Sequence, residues 1–342
     1  MRNSDITLVF QGAFKPYVTR DGDSFIHNIR STRRVLPGAR IILSTWEGTE
    51  IPANLAVDGV VFSKDPGGLA PLKLDDDKAN NVNRQLLSTQ AGLAVVTTPY
   101  AVKIRTDCAL RHAGFLDFYA EQLKRDEGRD RLVACSFFTL DPTVFERLSF
   151  HLSDWFHFGR TETLQAYWSA APMRPDEARF YESHRHAPDS SFFERKLRAK
   201  FAAEQHLCTQ YASALGYACP QYLNDGSAPV MRDYYRFLAR DVMLLDPWQI
   251  GLVFRKYGWV GNSLFQSMNS LMHLDWLKIA GQHRATDNDS IALAKLIHAR
   301  AHKKAVIRKA FRSTRAFHPF LFDPRRGGAQ VRRLANRVLR IL

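Results

Sequence analysis

Residues 23–44 read DSFIHNIRSTRRVLPGARIILS, and their order decides the fold. Phe25, Ile26, Ile29 and Val35 recur at helical spacing over 23–36, and the run stops at Pro37-Gly38 as a surface helix does. Residues 40–44 (RIILS) follow as a buried strand. Upstream, 6–10 is a short apolar run ending in Gln11-Gly12, and downstream 58–63 (DGVVFS) is another strand closed by turn residues. The same alternation continues with a helix over 80–93, a strand over 100–106 (YAVKIRT) that runs into Asp107, a helix over 115–125 and a strand over 131–139 (RLVACSFFT). Strands alternating with helices at these lengths predict an α/β fold with a mostly parallel sheet flanked by helices. From about 140 the pattern loosens into aromatic and His-rich loops interleaved with helices over 161–170 and 192–215.

The chain has 342 residues, 45% apolar and 24% charged, which suits a large packed core and excludes wholesale disorder. No apolar run reaches the ~18 residues of a spanning helix. The opening MRNSDITLVF lacks the apolar centre and small-residue cleavage site of a signal peptide. Cys108, Cys135, Cys208 and Cys219 are scattered, with no C-x-x-C, so the expected home is a reducing cytoplasm rather than one that forms disulfides. The net charge of +14 is unevenly placed: residues 295–342 hold 14 Lys and Arg against Asp323 alone, while the preceding residues hold 34 against 33 acids. A nearly neutral body with a basic helical C-terminal extension argues against a nucleic-acid binder and for a tail that meets an anionic surface. Over 328–342, Val331, Leu334, Ala335, Val338 and Leu342 fall at helical spacing among four arginines, the pattern of a basic amphipathic helix.

Neither G-x-x-x-x-G-K-[ST] nor G-x-G-x-x-G occurs, nor H-E-x-x-H nor G-x-S-x-G, so P-loop, dinucleotide, zincin and serine-hydrolase chemistry lack support. What remains is polar residues at strand ends, where open α/β sheets bind ligands. Five such places stand out: Gln11-Gly12, Ser44-Thr45-Trp46, Asp65-Pro66-Gly67-Gly68, Arg105-Thr106-Asp107, and Asp154 within SDWFHFG. They offer a glycine for close backbone approach, amides and hydroxyls, cations, and a carboxylate for a metal bridging a diphosphate.

The stretches ITLVFQGAF, HNIRSTRRVLPGARIILSTWEG, SKDPGG, NNVNRQLLST and YAVKIRTD, followed by SDWFHFG, AEQHL and RFLARDVMLLDPWQIGLVFRKY, resemble the WavE lipopolysaccharide-synthesis family over roughly residues 5–257. The resemblance implies a GT-A-like glycosyltransferase that uses a nucleotide-sugar donor to extend a bacterial surface polysaccharide, lipopolysaccharide or capsule. It implies a donor half over 1–140 and an acceptor half over 141–280, with 281–342 as the basic helical C-terminal region.

Within that reading Gln11, Gly12, Thr45, Asp65, Asn83, Arg84, Lys103, Arg105 and Asp107 are the donor-binding set. Asp107 stands where such enzymes carry the last carboxylate of D-x-D, which makes it the expected ligand of a divalent cation, Mg or Mn; the first carboxylate is missing. Lys103 and Arg105 share a strand face and either offer charge that partly replaces a metal on the diphosphate or simply flank an acidic neighbour. Asn83 and Arg84 open a helix, a place that attracts phosphate. Each has a plainer reading: Asp107 as a helix cap, Asn83 as an N-terminal cap, Asp65 as a turn residue, Trp46 as a core side chain. For the base that takes the acceptor proton, Asp154 is placed first and Glu204 second; a lone helix Glu is ordinarily just exposed. The expected partners are a nucleotide sugar, a glycan or lipid-linked glycan acceptor, and the anionic inner membrane face, with no nucleic acid. The rivals are a nucleotidyl- or sugar-phosphate transferase, which needs a second carboxylate beside Asp107, and a non-catalytic glycan-binding protein.

Overall fold

The computed structural model describes residues 1–15, 18, 24–281 and 288–319. Its strands are β1 (Ile6–Gln11), β2 (Arg40–Trp46), β3 (Gly59–Ser63), β4 (Tyr100–Arg105), β5 (Ala109–Leu110), β6 (Leu132–Cys135), β7 (Phe156–Arg160), β8 (Val242–Leu245) and β9 (Leu252–Val253). Seven of them form one sheet in the order β3-β2-β1-β4-β7-β6-β8, and β5 and β9 pair separately. β1, β2, β3 and β4 run parallel, as do β6 and β8, while β7 runs antiparallel to both of its neighbours. The sheet is thus mostly parallel and flanked by helices, as the alternation predicts. β1 and β6 are buried throughout, which is why they read as continuous apolar runs.

Helix Phe25–Val35 starts at Ser24, whose side chain accepts from the His27 N–H, and buries Phe25, Ile29 and Thr32. Helix Val82–Ala94 packs on β1 and β2 through Gly92, where a Cβ would come within 2.5 Å of Val9 Cγ1, so only glycine lets helix and strand approach so closely. On the other face Phe115, Tyr119, Phe156 and Phe158 interlock with ring centroids 4.8–5.0 Å apart, each fully buried and each worth ~1.5–3 kcal/mol of transfer free energy.

Several boundaries move. The strand expected over 131–139 is confined to Leu132–Cys135, and the helix over 161–170 to Thr161–Tyr167. The single helix expected over 192–215 is instead a short turn, Glu194–Lys196, an irregular stretch, and helix Ala203–Ala214. The reason is Glu194. It is fully buried, and its carboxylate accepts from the backbone N–H of Arg147 and Ser191 and from Asn224 Nδ2, which fixes the chain in a loop around it.

Helix Asn288–Ser313 lies against the body through buried Ile297 and Ile307. Lys304 Nζ sits 2.8 Å from both Asp141 Oδ2 and Asp275 Oδ2, and Arg300 pairs with Asp275 at 2.8 Å. The amphipathic helix expected over 328–342 lies outside the described residues. Among those described, no helix is long and apolar enough to cross a membrane.

Candidate active site

Parallel strands put their carboxyl ends on one edge of a sheet, so Gln11, Trp46 and Arg105 meet there by topology. β7 enters from the opposite direction. Its register, Ile104↔Phe156, brings Asp154, which precedes the strand, back to the Arg105–Asp107 turn. These ends and the loops above them enclose a cleft of about 690 Å³.

At the base of the cleft the ends of β1, β2 and β4 are laced together. Thr106 N donates to Gln11 O (3.1 Å), Thr106 Oγ1 to Ala13 O (2.9 Å), and Gly12 N to Ser44 O (3.1 Å). Gly12 holds φ +121°, a conformation that favours glycine.

Arg105 and Asp107 form a two-pronged pair: Nε to Oδ1 at 2.9 Å and Nη2 to Oδ2 at 2.8 Å. Nη1 of the same guanidinium stands 3.6 Å from Asp154 Oδ2. Behind them Lys103, fully buried, donates to the Asp154 backbone carbonyl, and its Nζ lies 3.9 Å from Asp154 Oδ2 and 4.6 Å above the Trp168 ring. Asp154 Oδ2 is itself buried and accepts no hydrogen bond from the described residues. Burial pushes the Lys103 ammonium down to about 8, with Asp154 opposing the shift. Burial also opposes charge on Asp107, but the adjacent Arg105 outweighs it and holds the carboxyl below its ordinary range. Arg105 is raised well above its ordinary value although burial acts against it, because Asp107 and Asp154 flank it.

The rest of the cleft includes loops and helix starts. Arg84, in the first turn of helix Val82–Ala94, bonds Asp65 through Nε (2.7 Å) and Nη2 (2.8 Å) and Asn81 Oδ1 through Nη1 (2.9 Å). Glu204 stands in the first turn of helix Ala203–Ala214, with Oε2 3.4 Å from His151 Nε2. His151 Nδ1 lies 2.9 Å from the Phe138 carbonyl, which as an acceptor fixes the N–H there and turns Nε2 toward Glu204. Phe138 has φ +65°, so the carbonyl that aims the ring comes from a sterically disfavoured backbone turn.

Of the residues singled out from the sequence, Gln11, Gly12, Asp65, Arg84, Arg105, Asp107, Asp154 and Glu204 line this one cleft. Thr45, Asn83 and Lys103 do not. Strand alternation turns Thr45 to the face opposite Ser44 and Trp46, where it is buried, and Trp46 takes its place at the cleft. Asn83 is spent on the backbone of Met173, donating to its carbonyl (2.9 Å) and accepting from its N–H (2.7 Å). Lys103 shares a strand face with Arg105 but lies below the floor, so it holds Asp154 rather than a ligand. Sequence reading missed Lys15, Lys256 and Tyr257, which also line the cleft. Lys256 and Tyr257 belong to the stretch that carries the family resemblance, which was the available signal. Lys15 follows the first strand end and had none.

The residues present do not fit a resident divalent cation on Asp107. Both of its oxygens are taken by Arg105, Asp154 faces the same guanidinium, and among the described residues no group of three His, Cys, Asp or Glu converges.

Sheet and edge cleft define an α/β protein with a cleft at the carboxyl ends of its strands, lined by paired cations and carboxylates. The sequence matches the WavE lipopolysaccharide synthesis family over residues 6–311, and the chain belongs to that family. Its role accordingly lies in lipopolysaccharide synthesis. No protein of curated function matches the sequence. Among solved structures it is similar to the 2-C-methyl-D-erythritol 4-phosphate cytidylyltransferase of Thermus thermophilus, at 14% identity and TM-score 0.32 over 66% of this chain and 89% of that one. It is also similar to HddC of Yersinia pseudotuberculosis, at 13% identity and TM-score 0.28 over 52% and 86%. The Francisella tularensis cytidylyltransferase of the first kind gives 11%, 0.28, 48% and 76%.

Proposed function

We propose that this chain is a glycosyltransferase that binds a nucleotide-sugar donor in the edge cleft and passes the sugar to a growing surface glycan. The observation that carries the reading is the meeting, in one cleft, of Lys15, Arg84, Arg105 and Lys256 with the carboxylates Asp154 and Glu204. The cations suit a diphosphate leaving group, whose charge must be neutralised as it departs. Gln11, Gly12 and Trp46 line the base and ribose end, and Asp65 holds Arg84 toward the phosphates.

Glu204 is the proton acceptor in this reading, because it is the cleft carboxylate not set against Arg or Lys among the described residues. The acceptor oxygen forms a bond to the sugar's anomeric carbon and its proton goes to Glu204. The bond from that carbon to the phosphate oxygen breaks, and its electron pair leaves with the nucleoside diphosphate. Asp154 fixes Arg105 and Lys103 in place. The donor half is 1–140 and the acceptor half 141–280. Region 281–342 docks on the anionic inner membrane face, since helix Asn288–Ser313 exposes Lys295, Lys309 and Arg312 beside Ile291, Leu296 and Val306.

A nucleotidyl-transfer reading requires a second carboxylate beside Asp107 to share a metal. Asp154 comes near, but Arg105 stands between the two, which favours glycosyl transfer. A thermal-shift panel of UDP-, GDP- and dTDP-sugars, with release of the nucleoside diphosphate followed in parallel, tests the assignment. One nucleotide class should raise the melting temperature and release its diphosphate in the presence of glycan acceptor. A folded protein that no nucleotide sugar stabilises overturns the reading.

A further inference from the structure

We propose that Arg105 is the resident cation of this cleft, standing in the position a divalent metal ion would take on Asp107, so that the donor's diphosphate is bound without metal. The inference rests on the donor-site reading above and deepens it.

Both carboxylates of the floor are set against the chain's own cations. Asp107 gives both oxygens to one guanidinium, at 2.9 and 2.8 Å, the paired geometry that is strongest for arginine and carboxylate. Asp154 Oδ2 has Arg105 Nη1 at 3.6 Å on one side and Lys103 Nζ at 3.9 Å on the other. A magnesium or manganese ion that used either carboxylate would have to share it with Arg105. It would then sit against a guanidinium that cannot lose its proton and a lysine that cannot leave the core. Such ions also require a near-octahedral oxygen shell, and the cleft offers no further carboxylate in this cluster among the described residues.

The guanidinium is equally well placed to do the metal's work. Asp107 occupies Nε and Nη2, and Nη1 stands beyond hydrogen-bond range of Asp154 at the cleft. Its N–H groups therefore remain for phosphate oxygens, which arginine binds in the same planar fashion as carboxylates. Lys256 lines the same cleft, close enough for its charge to act on Asp107, and supplies a second cation. Lys15 lines it from the loop after β1.

The test is calorimetric titration of UDP, GDP and dTDP into the full chain, once in EDTA and once in excess Mn²⁺, with Arg105→Lys and Arg105→Gln run in EDTA. For the nucleotide that binds, the dissociation constants in the two media should agree within about twofold. Arg105→Gln should weaken binding about tenfold or more, and Arg105→Lys, which keeps the charge but loses the planar fork, by less. Arg105→Lys also serves should the Gln variant fail to fold. Binding that is present with Mn²⁺ and lost in EDTA overturns the inference while leaving the donor-site reading standing. Binding unaffected in both variants also overturns it. Absence of binding for every nucleotide in both media overturns the donor-site reading, and this inference with it.

Discussion

Two arginine–carboxylate pairs line the cleft with almost the same geometry. Arg84 holds Asp65 at 2.7 and 2.8 Å, and Arg105 holds Asp107 at 2.9 and 2.8 Å. Their settings differ. The Arg84 and Asp65 side chains are 33% and 43% exposed, those of Arg105 and Asp107 24% and 15%, and Asp154 behind the latter only 4%. One pair stands on a loop and a helix start in contact with water; the other is fixed by strand register over a buried lysine. Distance therefore does not rank them, and burial does. A screened pair contributes ~0–1 kcal/mol, whereas removing one partner of a buried pair leaves a charge the interior cannot solvate. The sheet wall is thus a rigid charge template and the loop wall an adjustable one.

The sharpest test of that division separates the cleft's other two carboxylates. Glu204 pairs with His151 and with no other charged group among the described residues, and it is partly exposed, so Glu204→Gln should leave stability within ~0.5 kcal/mol. Sugar transfer should fall by ~10²-fold to 10⁴-fold, with donor affinity intact. A variant that keeps its rate moves the base role elsewhere in the cleft. Asp154→Ala should do the reverse in kind. It strips the carboxylate from Lys103 and Arg105, and chemical denaturation should show a loss of ~3–5 kcal/mol. Unchanged stability would mean that Lys103 does not depend on Asp154 for its charge.

The same division explains what the sequence disclosed. Buried parallel strands are apolar runs, so β1, β2 and β4 were readable, and with them the edge where Gln11, Arg105 and Asp107 meet. Depth within a strand was not readable. Lys103 and Arg105 share a face two residues apart, yet only the second reaches the cleft, because the floor is set by how β7 returns antiparallel beside β4. Parity misled at Thr45, where a one-residue difference sends the side chain into the core and brings Trp46 to the cleft. The loop around Glu194 was read as helix because its organising force is a web of bonds to Arg147, Ser191 and Asn224, residues far apart in the chain. Lys256 lies over a hundred residues from the strands it joins, and its place follows from tertiary packing alone.

Acid titration compares the two pairs more gently. Arg105 holds the folded-state pKa of Asp107 below its ordinary 3.8, so this carboxylate adds stability that is complete above that value and is lost as pH falls through the lower folded value. Subtracting the stability of Asp107→Asn from that of wild type should give a difference that is flat above about pH 5 and shrinks steadily below 3.8. A difference that stays constant down to the acid transition would show that the Arg105 pair does not survive in solution.

The smallest effect belongs to the exposed pair. Arg84 also holds Asp65 below its ordinary range, so the sign on the acid side is the same, but the exposure of both side chains leaves little of it as stability. Arg84→Ala should therefore shift the unfolding free energy by less than ~1 kcal/mol. Its consequence should be seen in the ligand: if the loop wall adjusts to the diphosphate, losing this guanidinium weakens donor binding by about tenfold, in line with a hydrogen bond to a charged group, while the turnover rate at saturating donor stays near wild type. A large stability loss in Arg84→Ala would make the loop wall part of the rigid template. An unchanged donor affinity would confine phosphate recognition to Arg105, Lys256 and Lys15.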